Sequence, residues 1–144
     1  MVQPANSGFA HETRLRVRYA ETDQMGVVYY ANYLVWMEIG RVELVRALGL
    51  PYKVMEETAG LYLAVTEARC RYLAPARYDQ EIVVSTEVTK STPRRMEFTY
   101  QIRSADPERV LAEGFTQHMW LNREWRPTRL PEQYHAALSV ELEK

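Results

Sequence analysis

Two periods of hydrophobic residues run along this chain and divide it. In residues 30–48, Tyr33, Met37, Gly40, Leu44 and Leu48 recur at helical spacing on one face, with Trp36 and Ala47 beside them. Leu34, Val35, Ile39, Val42 and Val45 spread apolar surface around much of the rest, interrupted by Glu38, Arg41, Glu43 and Arg46. A helix this apolar around its circumference is expected to be wrapped by other structure on most sides. Gly49 is placed to cap it in the left-handed conformation, and Pro51 blocks its continuation. A shorter helix is expected over 51–58, ahead of Gly60.

After Gly60 the period falls to two. Residues 61–73 form one expected strand, closed by Pro75. Residues 80–90 form the next, with Ile82, Val84, Thr86 and Val88 alternating against more polar neighbours. Residues 95–104 set Met96, Phe98, Tyr100 and Ile102 against Glu97, Thr99, Gln101 and Arg103, and Asp106-Pro107 marks the turn into a last strand over 109–122. Ahead of the helix, residues 13–20 alternate Leu15, Val17 and Tyr19 with Arg14, Arg16 and Arg18, a further half-buried strand. Pro131 opens a short terminal helix that docks through Tyr134 and Leu138. The order is strand, long helix, four consecutive strands. It implies an α+β fold: one antiparallel five-stranded sheet curled around one central helix. Residues 1–12 read as a flexible arm and 13–144 as a single domain. Exposed sheet edges and a partly apolar helix flank imply a homodimer or a larger assembly such as a homotetramer.

Composition narrows the function. The 144 residues carry a formal net charge of −1, with 47% hydrophobic and 26% charged residues, so no basic field covers the molecule as a phosphate-bound nucleic-acid partner would need. The first residues lack the basic start and apolar core of a secretory signal, and no window is long enough to insert in a membrane. Cys70 is the one cysteine, which excludes an internal disulfide and a thiolate metal site. A cytoplasmic protein is expected.

The chemistry concentrates in Tyr19–Arg41, where a strand ends in an acidic turn, passes Gly26 and enters the helix. Carboxylates in turns are most often N-caps or solvated loop residues. Asp23, however, lies at the mouth of a helix whose first N–H groups lack internal partners and stabilise developing negative charge. A carboxylate facing such donors attacks a bound carbonyl or activates water to do so. Gly26 lets the loop approach a ligand with no Cβ in the way. Glu21 and Asp23, two apart, point the same way in an extended chain; with no histidine near and too few oxygen ligands, metal binding is not expected. Tyr29, Tyr30 and Tyr33 are wall or core residues by default, Tyr33 favouring the wall. Glu38 and Arg41 are expected to pair, and Gly40 to mark a close contact of helix and sheet. His11, His118 and His135 are scattered, and a structural role suits His118, on a face shared with Thr116 and Trp120. Arg94 and Arg95, and the group of Arg123, Arg126 and Arg129, are solvated charge or a seat for a phosphorylated ligand. No G-x-S-x-G, P-loop or dinucleotide fingerprint is present.

The stretch Y-x-E-T-D-x-M-G-V-V-Y-Y-A-N-Y-L-x-W-M-E-x-x-R resembles the signature of the 4-hydroxybenzoyl-CoA thioesterase type of hot-dog proteins, and Arg71 to Asp79 (RYLAPARYD) resembles a second motif of that family. The resemblance covers roughly residues 12–131. It implies a hot-dog fold and an acyl-CoA thioesterase that releases a free acid and coenzyme A. Asp23 takes the place of the catalytic carboxylate, as general base or nucleophile. Tyr30 stands where members carry tyrosine or histidine, its backbone N–H polarising the thioester carbonyl. Gly26, Val28, Tyr29, Asn32 and Tyr33 are the binding residues around it. The resemblance implies no separate cofactor, since coenzyme A enters as part of the substrate. It also implies active sites at a subunit interface, with Arg94, Arg95, Arg126 and Arg129 from the partner meeting the coenzyme's phosphates. Two alternatives stay open: a hot-dog enoyl-CoA hydratase or dehydratase, which typically uses a histidine that residues 19–41 lack, and a non-catalytic acyl-CoA-binding module.

Overall fold

A computed structural model describes residues 10–138 and 140. Its elements are β1 (Ala10–Arg16), α1 (Asn32–Ala47), β2 (Tyr62–Tyr72), β3 (Glu81–Ser91), β4 (Arg95–Ala105) and β5 (Glu108–Leu121). A short helical stretch, Tyr52–Val54, continues into a π-helical turn at Met55–Ala59, and a 3-10 turn, Glu132–Tyr134, follows Pro131. The strands form one five-stranded sheet in the order β1-β3-β4-β5-β2, with every pair antiparallel. This is the hot-dog architecture: the sheet curls around α1, and the core lies between them.

Residues 10–12 of the arm expected over 1–12 belong instead to β1, which starts at Ala10 and pairs there with Glu87 of β3; residues 1–9 lie outside the described residues. The strand expected over 13–20 ends at Arg16. Val17 still donates to the Gln80 carbonyl at 2.9 Å, but the Glu21 carboxylate then takes the Arg18 N–H at 2.8 Å and turns the chain into a 3-10 turn at Tyr19–Glu21. Alternation of side chains along 13–20 did not reveal that side-chain acceptor.

Helix α1 buries Tyr33, Trp36, Met37, Gly40, Leu44 and Val45. Gly40 lets it sit close to the sheet: a Cβ there would lie 2.4 Å from Thr86 Oγ1 and 2.8 Å from Val84 Cγ1. Gly49 has φ +89°, the left-handed conformation expected after the helix. Wrapping stops short on one flank, where Leu34, Val35 and Ile39 remain exposed. The expected Glu38–Arg41 pair does not form. Among the described residues Arg41 has no ion pair, and its guanidinium faces inward to a polar cluster of Tyr52, Tyr100 and His118. In that cluster Thr116 Oγ1 meets the Tyr100 hydroxyl at 2.6 Å and His118 Nε2 at 2.8 Å.

Candidate active site

The acidic loop is a tight hairpin. Asp23 N–H donates to the Val27 carbonyl at 2.8 Å, Tyr29 N–H to the Glu21 carbonyl at 2.9 Å, and Thr22 bridges Val28. Gly26, at φ +82°, supplies the reversal; a Cβ there would meet open space, so its need is conformational. The outgoing limb delivers Tyr29, Tyr30 and Ala31 to the start of α1. Asp23 lies opposite Val27, so Tyr30 stands three positions beyond it on the paired limb.

Glu21 and Asp23 do not share a direction. Glu21 is buried, with Oε1 accepting from Arg18 N–H and Oε2 accepting from the Trp36 indole N–H at 2.9 Å. The 3-10 turn that ends on Glu21 rotates it inward and leaves Asp23 partly exposed on the loop. Asp23 Oδ1 accepts the Met25 N–H at 2.9 Å, which braces the carboxylate, while Oδ2 has no partner among the described residues. The loop therefore separates a structural carboxylate from one whose second oxygen is available. The Tyr30 hydroxyl holds the Tyr29 phenol above its usual pKa, and the charge of Asp23 adds a smaller push in the same direction.

At the helix mouth the first turn closes early: Asn32, Tyr33 and Leu34 N–H groups donate to the carbonyls of Tyr29, Tyr30 and Ala31. The N–H groups of Tyr30 and Ala31 have no acceptor among the described residues. They are the free positive end of the helix.

The remaining expected binding residues divide by depth. Tyr29 and Tyr30 are exposed, with their rings 4.7 Å apart. Val28 and Tyr33 are buried in the framework behind the mouth: Val28 N–H donates to the Ala76 carbonyl at 2.8 Å, and the Tyr33 hydroxyl accepts the Ala76 N–H at 3.1 Å. Tyr33 is thus a core residue, not the wall residue the sequence suggested. Asn32 spends its amide on the Glu21 carbonyl at 2.8 Å. The second motif, Arg71 to Asp79, has a visible task here, since its Ala76 seats the loop. Tyr72 is a residue of the mouth that the sequence did not single out; its hydroxyl donates to the Tyr30 carbonyl at 2.9 Å.

A family model described as the thioesterase-like superfamily matches residues 17–138. The chain belongs to this family of thioester hydrolases. A putative acyl-CoA thioesterase, YneP, of Bacillus subtilis is 37% identical over 110 residues, covering 76% of this chain and 78% of that protein. Among solved structures, the hypothetical protein TT1821 from Thermus thermophilus superposes with a TM-score of 0.84 at 39% identity, covering 89% of this chain and 96% of that one. A DHNA-CoA thioesterase from Staphylococcus aureus superposes with a TM-score of 0.86 at 30% identity, covering 90% and 89%.

In this thioesterase-family chain the expected phosphate-binding arginines lie far from the mouth. Arg94, Arg95, Arg126 and Arg129 are exposed and without ion pairs among the described residues. The backbone gathers them at one end of the sheet: Trp120 N–H donates to the Arg94 carbonyl at 3.2 Å, Leu130 N–H to the Pro93 carbonyl, and Asn122 N–H to the Arg126 carbonyl. Arg95 pairs with Met119 and Tyr62 with Leu121, so this is the Tyr62 end of β2, whereas the helix mouth is at its Tyr72 end. Ten residue steps along β2 separate the ends by about 33 Å. One chain does not bring its arginines to its own Asp23. No helix among the described residues is long and apolar enough to cross a membrane.

Proposed function

We propose that this chain is an acyl-CoA thioesterase that hydrolyses the thioester to a free acid and coenzyme A. The observation that carries the reading is the pairing of a braced carboxylate having one unengaged oxygen, Asp23, with two acceptorless N–H groups, Tyr30 and Ala31, across a single tight loop. The thioester carbonyl oxygen accepts from the helix mouth, where preorganised donors stabilise the charge that grows on it in the transition state. Asp23 acts from the opposite side, deprotonating the attacking water or itself adding to the carbonyl carbon. The C–S bond then breaks and coenzyme A leaves as its thiolate or thiol; where Asp23 itself has added, water then hydrolyses the mixed anhydride on its carboxylate, releasing the free acid and regenerating Asp23.

The distance to the arginines supports a two-fold dimer built on β2. That strand is a long sheet edge, largely exposed, and beside it runs the uncovered flank of α1. A two-fold axis through the sheet makes β2 meet its copy antiparallel, and the Tyr62 end of one chain then lies beside the Tyr72 end of the other. The partner's arginine cluster comes to this chain's helix mouth, where it meets the coenzyme's phosphates. Hydratase chemistry finds no support at the mouth, whose side chains are tyrosines and Asp23.

Thiol release from a panel of short, long and aromatic acyl-CoA compounds, by the native protein and by Asp23→Asn, is the test. Loss of an acid–base group costs about 10²–10⁴-fold in turnover, with fold and binding retained. Near-normal turnover by Asp23→Asn would rule the assignment out, and binding without thiol release by the native protein would favour the non-catalytic module.

A further inference from the structure

The Tyr30 carbonyl that Tyr72 engages belongs to the same peptide unit as the Ala31 N–H. We infer that Tyr72 is a positioning residue for the oxyanion hole: it fixes and polarises the Tyr30–Ala31 peptide, making the Ala31 N–H a second donor to the oxyanion beside that of Tyr30. This rests on the helix-mouth reading above and adds to it a residue from a different element of the fold.

Several observations converge on that peptide. Its carbonyl has the Tyr72 hydroxyl at 2.9 Å as a close donor and the Tyr33 N–H at 3.3 Å as a longer one. A hydrogen bond accepted by a carbonyl draws electron density from its own N–H, so each strengthens the other, by about 10–30% per bond in condensed phases. The Tyr72 ring is held in place for this. The Tyr33 ring stands edge-on to it at 5.0 Å and the Tyr30 ring at 6.3 Å, both nearly perpendicular. Burial and the neighbouring Cys70, Tyr33 and Tyr30 push the Tyr72 phenol well above its usual pKa, so it remains a donor throughout the physiological range. Its hydroxyl donates to the Tyr30 carbonyl, with the Cys70 side chain as its other hydrogen-bonding neighbour, so the route by which it acts is the peptide.

The test compares Tyr72→Phe, Tyr72→3,5-difluorotyrosine and Asp23→Asn, using whichever acyl-CoA the native protein hydrolyses fastest. Removing an oxyanion donor outright costs about 10²–10³ in kcat; weakening one through its carbonyl costs less, and Tyr72→Phe is expected to lose about tenfold in kcat with KM within about twofold. The more acidic difluorotyrosine hydroxyl is expected to hold or raise kcat. In nuclear magnetic resonance spectra of the ligand-free protein, the Ala31 amide proton should move upfield in Tyr72→Phe while the fold is retained. A purely structural tyrosine lowers melting temperature without splitting kcat from KM or tracking fluorination. Unchanged kcat in Tyr72→Phe, or an unmoved Ala31 signal, overturns the inference while an inactive Asp23→Asn leaves the catalytic reading standing. Normal turnover by Asp23→Asn overturns that reading, and the inference with it.

Discussion

The Glu21 carboxylate accepts the Trp36 indole N–H at 2.9 Å, fastening the loop that carries Asp23 to the second turn of α1. Its other oxygen holds the Arg18 N–H, and its carbonyl receives both the Tyr29 N–H and the Asn32 side chain. Two carboxylates two residues apart thus do opposite work. One is buried and sets the geometry, while the other sits partly exposed with one oxygen unengaged among the described residues, as the proposed chemistry requires.

That division predicts contrasting amide variants. Glu21→Gln keeps one accepting oxygen, but whichever way the amide turns its N–H₂ group faces either the Arg18 N–H or the Trp36 indole N–H, costing about 2–4 kcal/mol of stability. Asp23→Asn should leave urea-induced unfolding within about 0.5 kcal/mol of native, as substitutions away from the core do, while abolishing turnover. Equal unfolding midpoints for Glu21→Gln and the native protein would remove Glu21 from its structural role.

The sequence made the frame legible and left the depth of residues within it obscure. Helix α1 and four of the strands announced themselves because each follows a single period bounded by Gly49, Pro51, Gly60, Pro75 or Pro107. The motif around Asp23 was legible for the same local reason, since loop, glycine and helix start are consecutive. The inward rotation of Glu21 was not, because it depends on an indole fifteen residues away. Nor was the seat that the Ala76 backbone gives to Val28 and to the Tyr33 hydroxyl from beyond the helix and β2. Tyr72 was hidden within a motif whose task is tertiary. The distance from the arginines to Asp23 follows from the register of β4 and β2 on β5, which strand pattern alone does not reveal.

The packing of α1 on the sheet predicts unequal effects of two glycine substitutions. In Gly40→Ala the new methyl meets Thr86 and Val84, short branched side chains rooted on β3. The helix must lift, at about 1–3 kcal/mol, against at most about 1 kcal/mol gained in helix propensity. In Gly114→Ala the methyl meets the end of the Met37 side chain, which swings aside. Chemical denaturation should therefore show the greater loss for Gly40→Ala; the reverse order would mean that Met37 cannot move aside and that the helix lifts at little cost.

His118 predicts an acid-sensitive core. Burial and the nearby Arg41 lower its pKa to about 3 from an ordinary 6.5. Below pH 6.5 the unfolded chain takes up a proton that the folded imidazole refuses, so its contribution is complete above that pH and is lost as pH falls toward 3. Between pH 7 and pH 5 this amounts to about 2 kcal/mol. His118→Gln does not titrate and still offers Thr116 a hydrogen-bonding partner, so its stability should fall less over the same interval. Parallel losses in both proteins would show that the imidazole protonates without unfolding.

The proposed sharing of sites between subunits predicts a particular complementation. Arg126→Ser combined with Arg129→Ser should raise KM for acyl-CoA about tenfold or more, because charge-assisted bonds to phosphate are lost, with little change in kcat. Co-expressed with Asp23→Asn chains, this double variant forms mixed dimers in which one site carries both defects. The other joins an intact Asp23 from the arginine-deficient chain to intact arginines of the Asp23→Asn chain. Purified through two different tags, the mixed dimer should show about half the native kcat per dimer and a native KM. If the coenzyme's phosphates were held by the same chain that supplies Asp23, the one active mouth would lack its arginines and KM would stay high. With about 33 Å of β2 between the two groups within one chain, the native KM is the expected result.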